Sequence, residues 1–160
     1  MATDFLLEID GIKGESKDSK HKDTLEIMSF SWGASNGGSF GAGGGGGAGK
    51  VSFSDMSLTG SVSKASPDLW LHCATGKHIK KATLFVRKSG TDRQDFYKVL
   101  MEDLLVSHIQ HSGHDQGGIP TESFSLNFAK VKFEYAEQKA DGSLEGPKAF
   151  GYDLKKGEKV

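Results

Sequence analysis

Gly44 and Gly49-Lys50 are spaced as in a phosphate-binding loop, where backbone N–H groups cradle phosphates and the lysine meets their charge. That chemistry also needs Ser or Thr after the lysine to hold magnesium, and a helix whose positive end faces the phosphate. Val51 follows instead, and the alternation beyond it is that of a strand. Gly41, Gly43 and Gly46 match a dinucleotide fingerprint, but in a run of glycines composition alone meets that spacing. His108, His111, His114 and Asp115 lie within eight residues, and imidazoles with a carboxylate are a metal-ligand set. Their spacing of three suits one face of a helix, whereas on a strand His108 and His111 point to opposite faces. The segment reads as strand running into a Gly-rich loop, so these are expected to be exposed loop histidines. Cys73 falls on the apolar face of a helix, where a thiol is buried and inert. Glu102 and Asp103 are chain neighbours at a solvated turn. No nucleophile is paired with a base in a recognisable pattern. The expectation is a chain with no catalytic residues, no cofactor and no metal.

The elements that would position these residues are mostly strands. Phe5 to Ile9 reads as a short strand ending in the turn Asp10-Gly11. Gly14 to Asp23 is polar and charged and reads as an exposed loop. Leu25 to Trp32 is a strand with Met28, Phe30 and Trp32 on one face and Ser29 and Ser31 on the other, the period-2 signature of a half-buried sheet. Gly33 to Gly49 holds ten glycines in seventeen positions and reads as a long loop, floppy in an isolated subunit. Val51 to Gly60 alternates again. Ser66 to Gly76 is the best helix: Ser66 can cap it, Pro67 suits its first turn, Asp68 complements the dipole and Gly76 gives a left-handed stop. Leu69, Trp70 and Cys73 share a face at helical spacing.

Beyond the helix, Ala82, Leu84 and Val86 alternate with Thr83, Phe85 and Arg87, and Ser89-Gly90-Thr91-Asp92 is a hairpin-type connection. Asp95 to Gln110 reads as two strand pieces broken near Glu102-Asp103, with a helix over Phe96 to Leu105 as the competing assignment. Glu122 to Tyr135 is the clearest strand. Phe124, Leu126 and Phe128 share one face, then Val131, Phe133 and Tyr135 the other. The slip around Ala129-Lys130 predicts a bulge or a corner. Lys148 to Leu154 is a last segment before a charged tail. About eight strands with one short helix (about 66–75) imply a mainly-β fold, a closed barrel, in one domain spanning 1–160.

Bulk composition removes other function classes. Twenty Lys and Arg against 21 Asp and Glu give a net charge of −1, with no basic block to displace counterions from nucleic acid. No apolar run reaches the roughly 18–20 residues of a membrane span. The first eight residues, Met1 to Glu8, lack the basic start and apolar stretch of a secretory signal. The single Cys73 cannot form an intrachain disulfide and suits a reducing compartment, so synthesis in the cytoplasm is expected.

An ordered set of segments then carries a resemblance. Gly14-Glu15-Ser16-Lys17-Asp18, Ser29-Phe30-Ser31-Trp32-Gly33, Gly44 to Lys50, Ser66-Pro67-Asp68-Leu69, Gly76-Lys77-His78, Arg87-Lys88, Glu122 to Phe128, Gln138 to Gly142 and Gly151-Tyr152-Asp153-Leu154 span nearly the whole chain. Together they resemble the haemolysin-coregulated protein (Hcp) family, the inner-tube subunit of bacterial type VI secretion systems. Ser89-Gly90-Thr91 stands where the family usually has Ala-Gly-Gly, and Tyr152 where tryptophan is common.

The resemblance implies a structural protein. Six subunits would form a ring, and rings would stack into a tube that a contractile sheath drives outward. A spike protein would cap the tip, small effector proteins would ride in the lumen, and the subunit itself would be released without a signal peptide. On this basis Ser29 and Ser31 are candidate lumen residues, small enough to leave room for an effector. Gly43, Gly44, Gly45, Gly46, Gly47, Ala48, Gly49 and Lys50 are candidates for a loop that reaches a neighbouring ring. The competing possibilities are a small ligand-binding β-barrel, which needs a closed apolar pocket, and a metal hydrolase built on His108, His111 and His114.

Overall fold

Alternation of apolar and polar side chains sets most of the architecture. The computed structural model describes residues 3–38, 50–88 and 94–160. Within them the strands are β1 (Thr3–Ile9), β2 (Leu25–Ser31), β3 (Ala34–Asn36), β4 (Val51–Phe53) and β5 (Met56–Ser61), followed by helix α1 (Ser66–Thr75). Then come β6 (Ile79–Lys88), β7 (Asp95–Ser112), β8 (Thr121–Tyr135), β9 (Lys148–Asp153) and β10 (Glu158–Lys159). Neighbours run β8–β5–β2–β1–β6–β7, and β7 pairs back onto β8, so six antiparallel strands close a barrel. The expected closure by about eight strands is thus corrected: β9 and β10 extend the sheet outside the barrel, and β3–β4 is a separate hairpin.

The barrel interior is filled by its own side chains. Leu7, Met56, Leu58, Leu84, Val99, Met101 and Leu126 are at most 1% exposed. Burying each such side chain stabilises the fold by about 1.5–3 kcal/mol. The interior is therefore core, which sets aside a ligand-binding barrel with a central pocket.

The corner expected near Ala129-Lys130 is present and has a partner. On β8 the buried set runs Phe124, Leu126, Phe128 and then Val131; on β7 it runs Val99, Met101 and then Leu104, Val106. Both strands exchange faces at the same level, because Met101 pairs with Val131 and Leu104 with Phe128. Asp103 absorbs the turn with a left-handed φ of 51°. Below the corner β8 pairs with β5 through Leu126; above it, from Lys130, it pairs with β9. The break read near Glu102-Asp103 is this bend within one 18-residue strand, and the competing helix does not form. Glu102 is not a free turn residue either, since it pairs with Lys130 at 3.5 Å.

Four local expectations need correction. On β2 the inward residues are Leu25 and Ile27; a bulge between Ile27 and Ser29 then throws Met28 outward, and Phe30 and Trp32 take up the inner face beyond it. On α1 the N-cap is Ala65, and Ser66 Oγ instead accepts the Ser63 N–H at 3.0 Å. The helix turns Ser66, Leu69 and His72 inward and leaves Trp70 exposed, while Cys73 is half-buried against the core. Gly76 does supply the left-handed stop, at φ 66°. Finally, the charged tail contains β10, which pairs with β9.

The segment from Gly14 to Asp23 is fastened to the barrel, not left as an exposed loop. A Cβ at Gly14 would lie 2.3 Å from the Thr24 carbonyl oxygen, so only glycine fits. Asp18 takes both arms of the buried Arg87 guanidinium, at 2.8 and 2.7 Å, and accepts the N–H groups of Lys20 and His21 at 3.0 Å each. Arg87 and these amides hold the Asp18 carboxyl well below the usual carboxylate range, and Asp18 raises Arg87 in turn. His21 stacks on Phe85 at 4.1 Å and meets Asp95 at 2.9 Å. Two of the segments that carried the resemblance, Gly14 to Asp18 and Arg87-Lys88, are thereby brought into one contact.

Candidate functional site

Once Leu58, Phe124 and Leu126 face inward, every second residue of β5 and β8 must face out. Those residues are Ser57, Thr59 and Ser61 on β5, and Ser123 and Ser125 on β8. Strand register aligns them into rows. One row runs Ser29, Thr59, Ser123, Gln110 across β2, β5, β8 and β7. The next runs Ser31, Ser57, Ser125, His108. Thr59 Oγ1 and Ser123 Oγ lie 3.4 Å apart, as do Ser57 Oγ and Ser125 Oγ. Ser29, Ser31 and Ser57 are exposed. The two rows contain no Lys, Arg, Asp or Glu.

At one margin Asp55 accepts Ser107 Oγ–H at 2.6 Å and Asn127 Nδ2–H at 2.7 Å, so its charge is met by neutral donors. At the opposite end Glu122, in line with the buried Phe124 and Leu126, sits 2.6 Å from His111 Nε2. The indole N–H of Trp70 also points at that nitrogen, at 3.0 Å, tying α1 to the barrel.

The far wall of the barrel differs. There the rows read Lys81, Glu102, Lys130, Asp153 and Glu8, Thr83, Leu100, Lys132, Gly151. Its charges are paired in part, as in Lys98–Glu134 at 3.5 Å. One molecule therefore carries an uncharged hydroxyl wall and, across the core, a charged one. The hydroxyl wall is a surface that keeps water without attracting ions: a hydroxyl costs far less to desolvate than a charge.

Of the residues singled out by sequence, Ser29 and Ser31 fall together at the edge of this wall. Their partners Ser57, Thr59, Ser123 and Ser125 were missed, although the alternation of Ser123 and Ser125 with Phe124 and Leu126 was a readable signal. The histidines separate: His108 joins the wall, His111 binds Glu122 and Trp70, and His114 lies over the Gly117 backbone. Among the described residues no group of three metal-ligating side chains comes together. The glycine run begins later than expected, because Ala34–Asn36 is a strand pairing with Val51–Phe53. Lys50 is exposed at the loop end of that hairpin, while Gly43 to Gly49 and the connection Ser89 to Asp92 lie outside the described residues.

Comparison with known proteins converges on one group. The family described as type VI secretion system effector, Hcp, matches residues 6–135. Protein hcp1 of Pseudomonas aeruginosa is 40% identical over 157 residues, covering 97% of both chains. Hcp1 of Salmonella typhimurium superposes with a TM-score of 0.83 at 36% identity over the whole of both chains. A further solved type six secretion system protein superposes with a TM-score of 0.94 at 28% identity, covering 99% of this chain and 100% of its own. With the same barrel, the same order of segments and this extent of identity, the chain belongs to the Hcp family of type VI secretion system tube proteins.

Proposed function

We propose that this tube subunit lines its lumen with the hydroxyl wall of β2, β5, β8 and β7, and that Ser29 and Ser31 meet effector proteins there. The observation that carries this is the pair of uncharged rows, Ser29 to Gln110 and Ser31 to His108, spanning four strands. A passage for folded proteins must stay hydrated and must not trap what it carries. Short hydroxyls do both, since each hydrogen bond to a passing protein exchanges for one to water at a net of about 0.5–1.5 kcal/mol.

In this reading the subunit is structural and carries out no reaction. Its partners are copies of itself in six-membered, stacked rings, effector proteins inside, a spike protein at the tip and the contractile sheath outside. It is made in the cytoplasm and leaves through the machine. Among the described residues no helix is long and apolar enough to cross a membrane. The segment Gly43 to Lys50, carried on the β3–β4 hairpin, reaches the next ring.

Electron microscopy of the purified protein tests the assembly: six-fold rings with a central opening are expected, and a homogeneous monomer overturns it. Ser31→Gln tests the lumen: rings persist and effector retention falls, whereas unchanged retention overturns the placement of the wall.

A further inference from the structure

Cations are sorted between the two walls of the barrel. Among the described strands, every lysine and arginine lies on β6, β9, β10 or the far halves of β7 and β8, beyond the corner. β2, β5 and the halves of β7 and β8 that carry the hydroxyl rows have none. Carboxylates are sorted differently, because one stands at each end of the rows. The pairing of Ile27 with Gly60 sets the exposed Glu26 beside Ser61, and both line one concavity. Glu15 lines it too and accepts the Lys64 N–H at 2.9 Å.

At the other end stands Asp55, half-buried, just before the inward Met56. Its partner Asn127 faces out in phase with Ser123 and Ser125, so Asp55 belongs to the same face. The length of β5, a contour of about 20 Å, separates the two carboxylates. Among the described residues neither has a lysine or arginine as ion-pair partner. Glu122, between them on β8, is buried and engaged by His111.

We infer that the effectors held by this wall are those that present a basic face, with lysines and arginines meeting Glu26 and Asp55 on either side of the uncharged rows. This rests on the lumen reading proposed above. The hydroxyl rows exchange hydrogen bonds with water and discriminate little between one protein surface and another. A carboxylate at the margin adds little affinity by itself. Charges at a rim do set which partner is steered in and which is turned away. Repetition of the wall around a ring multiplies that preference without adding a contact to any subunit. An acidic protein finds no cation on the strands of this wall to offset the repulsion.

The test uses rings of the full chain and two labelled peptides, decalysine and decaglutamate, with binding read by fluorescence anisotropy at low and high salt. Asp55→Asn, Glu26→Gln and the double variant are compared with the wild type, and native mass spectrometry confirms the rings. Each single change is expected to raise the decalysine dissociation constant at least about threefold, and the two together about tenfold or more, with a shallower salt dependence. Decaglutamate, whose lysine partners stand on the far wall, binds wild type and variants alike and so reports that they are folded and assembled. If Glu26→Gln prevents ring formation, Asp55→Asn alone carries the comparison. Rings of the double variant that bind decalysine as the wild type does overturn the inference. Ser31→Gln, measured alongside, keeps the two readings apart. Unchanged effector retention in that variant overturns the lumen placement, and this inference with it. Reduced retention there, with undiminished decalysine binding in the double variant, leaves the lumen placement standing and overturns the basic-face inference alone.

Discussion

Replacing Asp18 by Ala removes the carboxylate that neutralises Arg87, a residue only 4% exposed. Breaking a buried, hydrogen-bonded ion pair from one side costs about 3–5 kcal/mol, because the remaining charge has lost its counter-ion. Here the cost falls at the lower end, since the half-exposed Asp4 remains 3.6 Å from Arg87 Nε. A loss of about 3 kcal/mol lowers the melting temperature by about 6–12 °C in a chain of this size. Urea unfolding at fixed protein concentration measures it. The concentration must be held because ring assembly adds to apparent stability.

The sign of the pH dependence follows from the same pair. The Asp18 carboxyl titrates lower in the folded chain than in the unfolded one. Its contribution is therefore complete above the unfolded value, about 4, and is lost as pH falls from there toward the folded value. The gap between wild type and Asp18→Ala should close as the solution is acidified. Adding Arg87→Met to Asp18→Ala should recover stability, because the orphaned charge goes with it. A single variant within about 0.5 kcal/mol of wild type, the ordinary range of surface substitutions, would refute the claim that this pair fastens the segment to the barrel.

Gly14→Ala forces a methyl to within 2.3 Å of the Thr24 carbonyl oxygen. It should cost at least the roughly 1–3 kcal/mol typical of overpacking, read by urea unfolding. Ser31→Gln should leave ring formation intact by electron microscopy and lower the amount of effector that co-purifies. Deleting Gly43 to Gly47 should leave single rings unchanged in native mass spectrometry while shortening the stacks seen at high protein concentration; loss of the ring itself would contradict the role given to this segment.

What was legible in the sequence was the local part. The corner in β8 showed because an apolar phase slip between Phe128 and Val131 needs no knowledge of any other strand. The helix bounds showed for the same reason, through Pro67 and Gly76. The face of the helix did not, because two of its inward residues, Ser66 and His72, are polar and the large Trp70 is turned out to meet His111. The phase of β2 was misread because the bulge at Met28 shifts it midway. The segment from Gly14 to Asp23 looked solvated because its anchors, Arg87 and Asp95, are 69 and 74 positions away from Asp18 and His21. Ser29 and Ser31 were visible as a polar edge. The wall they belong to is a product of register between strands distant in sequence, which no single segment displays.

The paired bend of β7 and β8 has a mechanical consequence. Both strands change faces at one level without losing register there, so their ladder, shifted once between Val106 and His108, continues from the hydroxyl wall to the outer sheet. Load applied along these strands is borne in shear, shared among hydrogen bonds acting in parallel instead of being opened one at a time. The bend lets one pair of strands serve as the spar that joins the hydroxyl wall to the charged wall across the core.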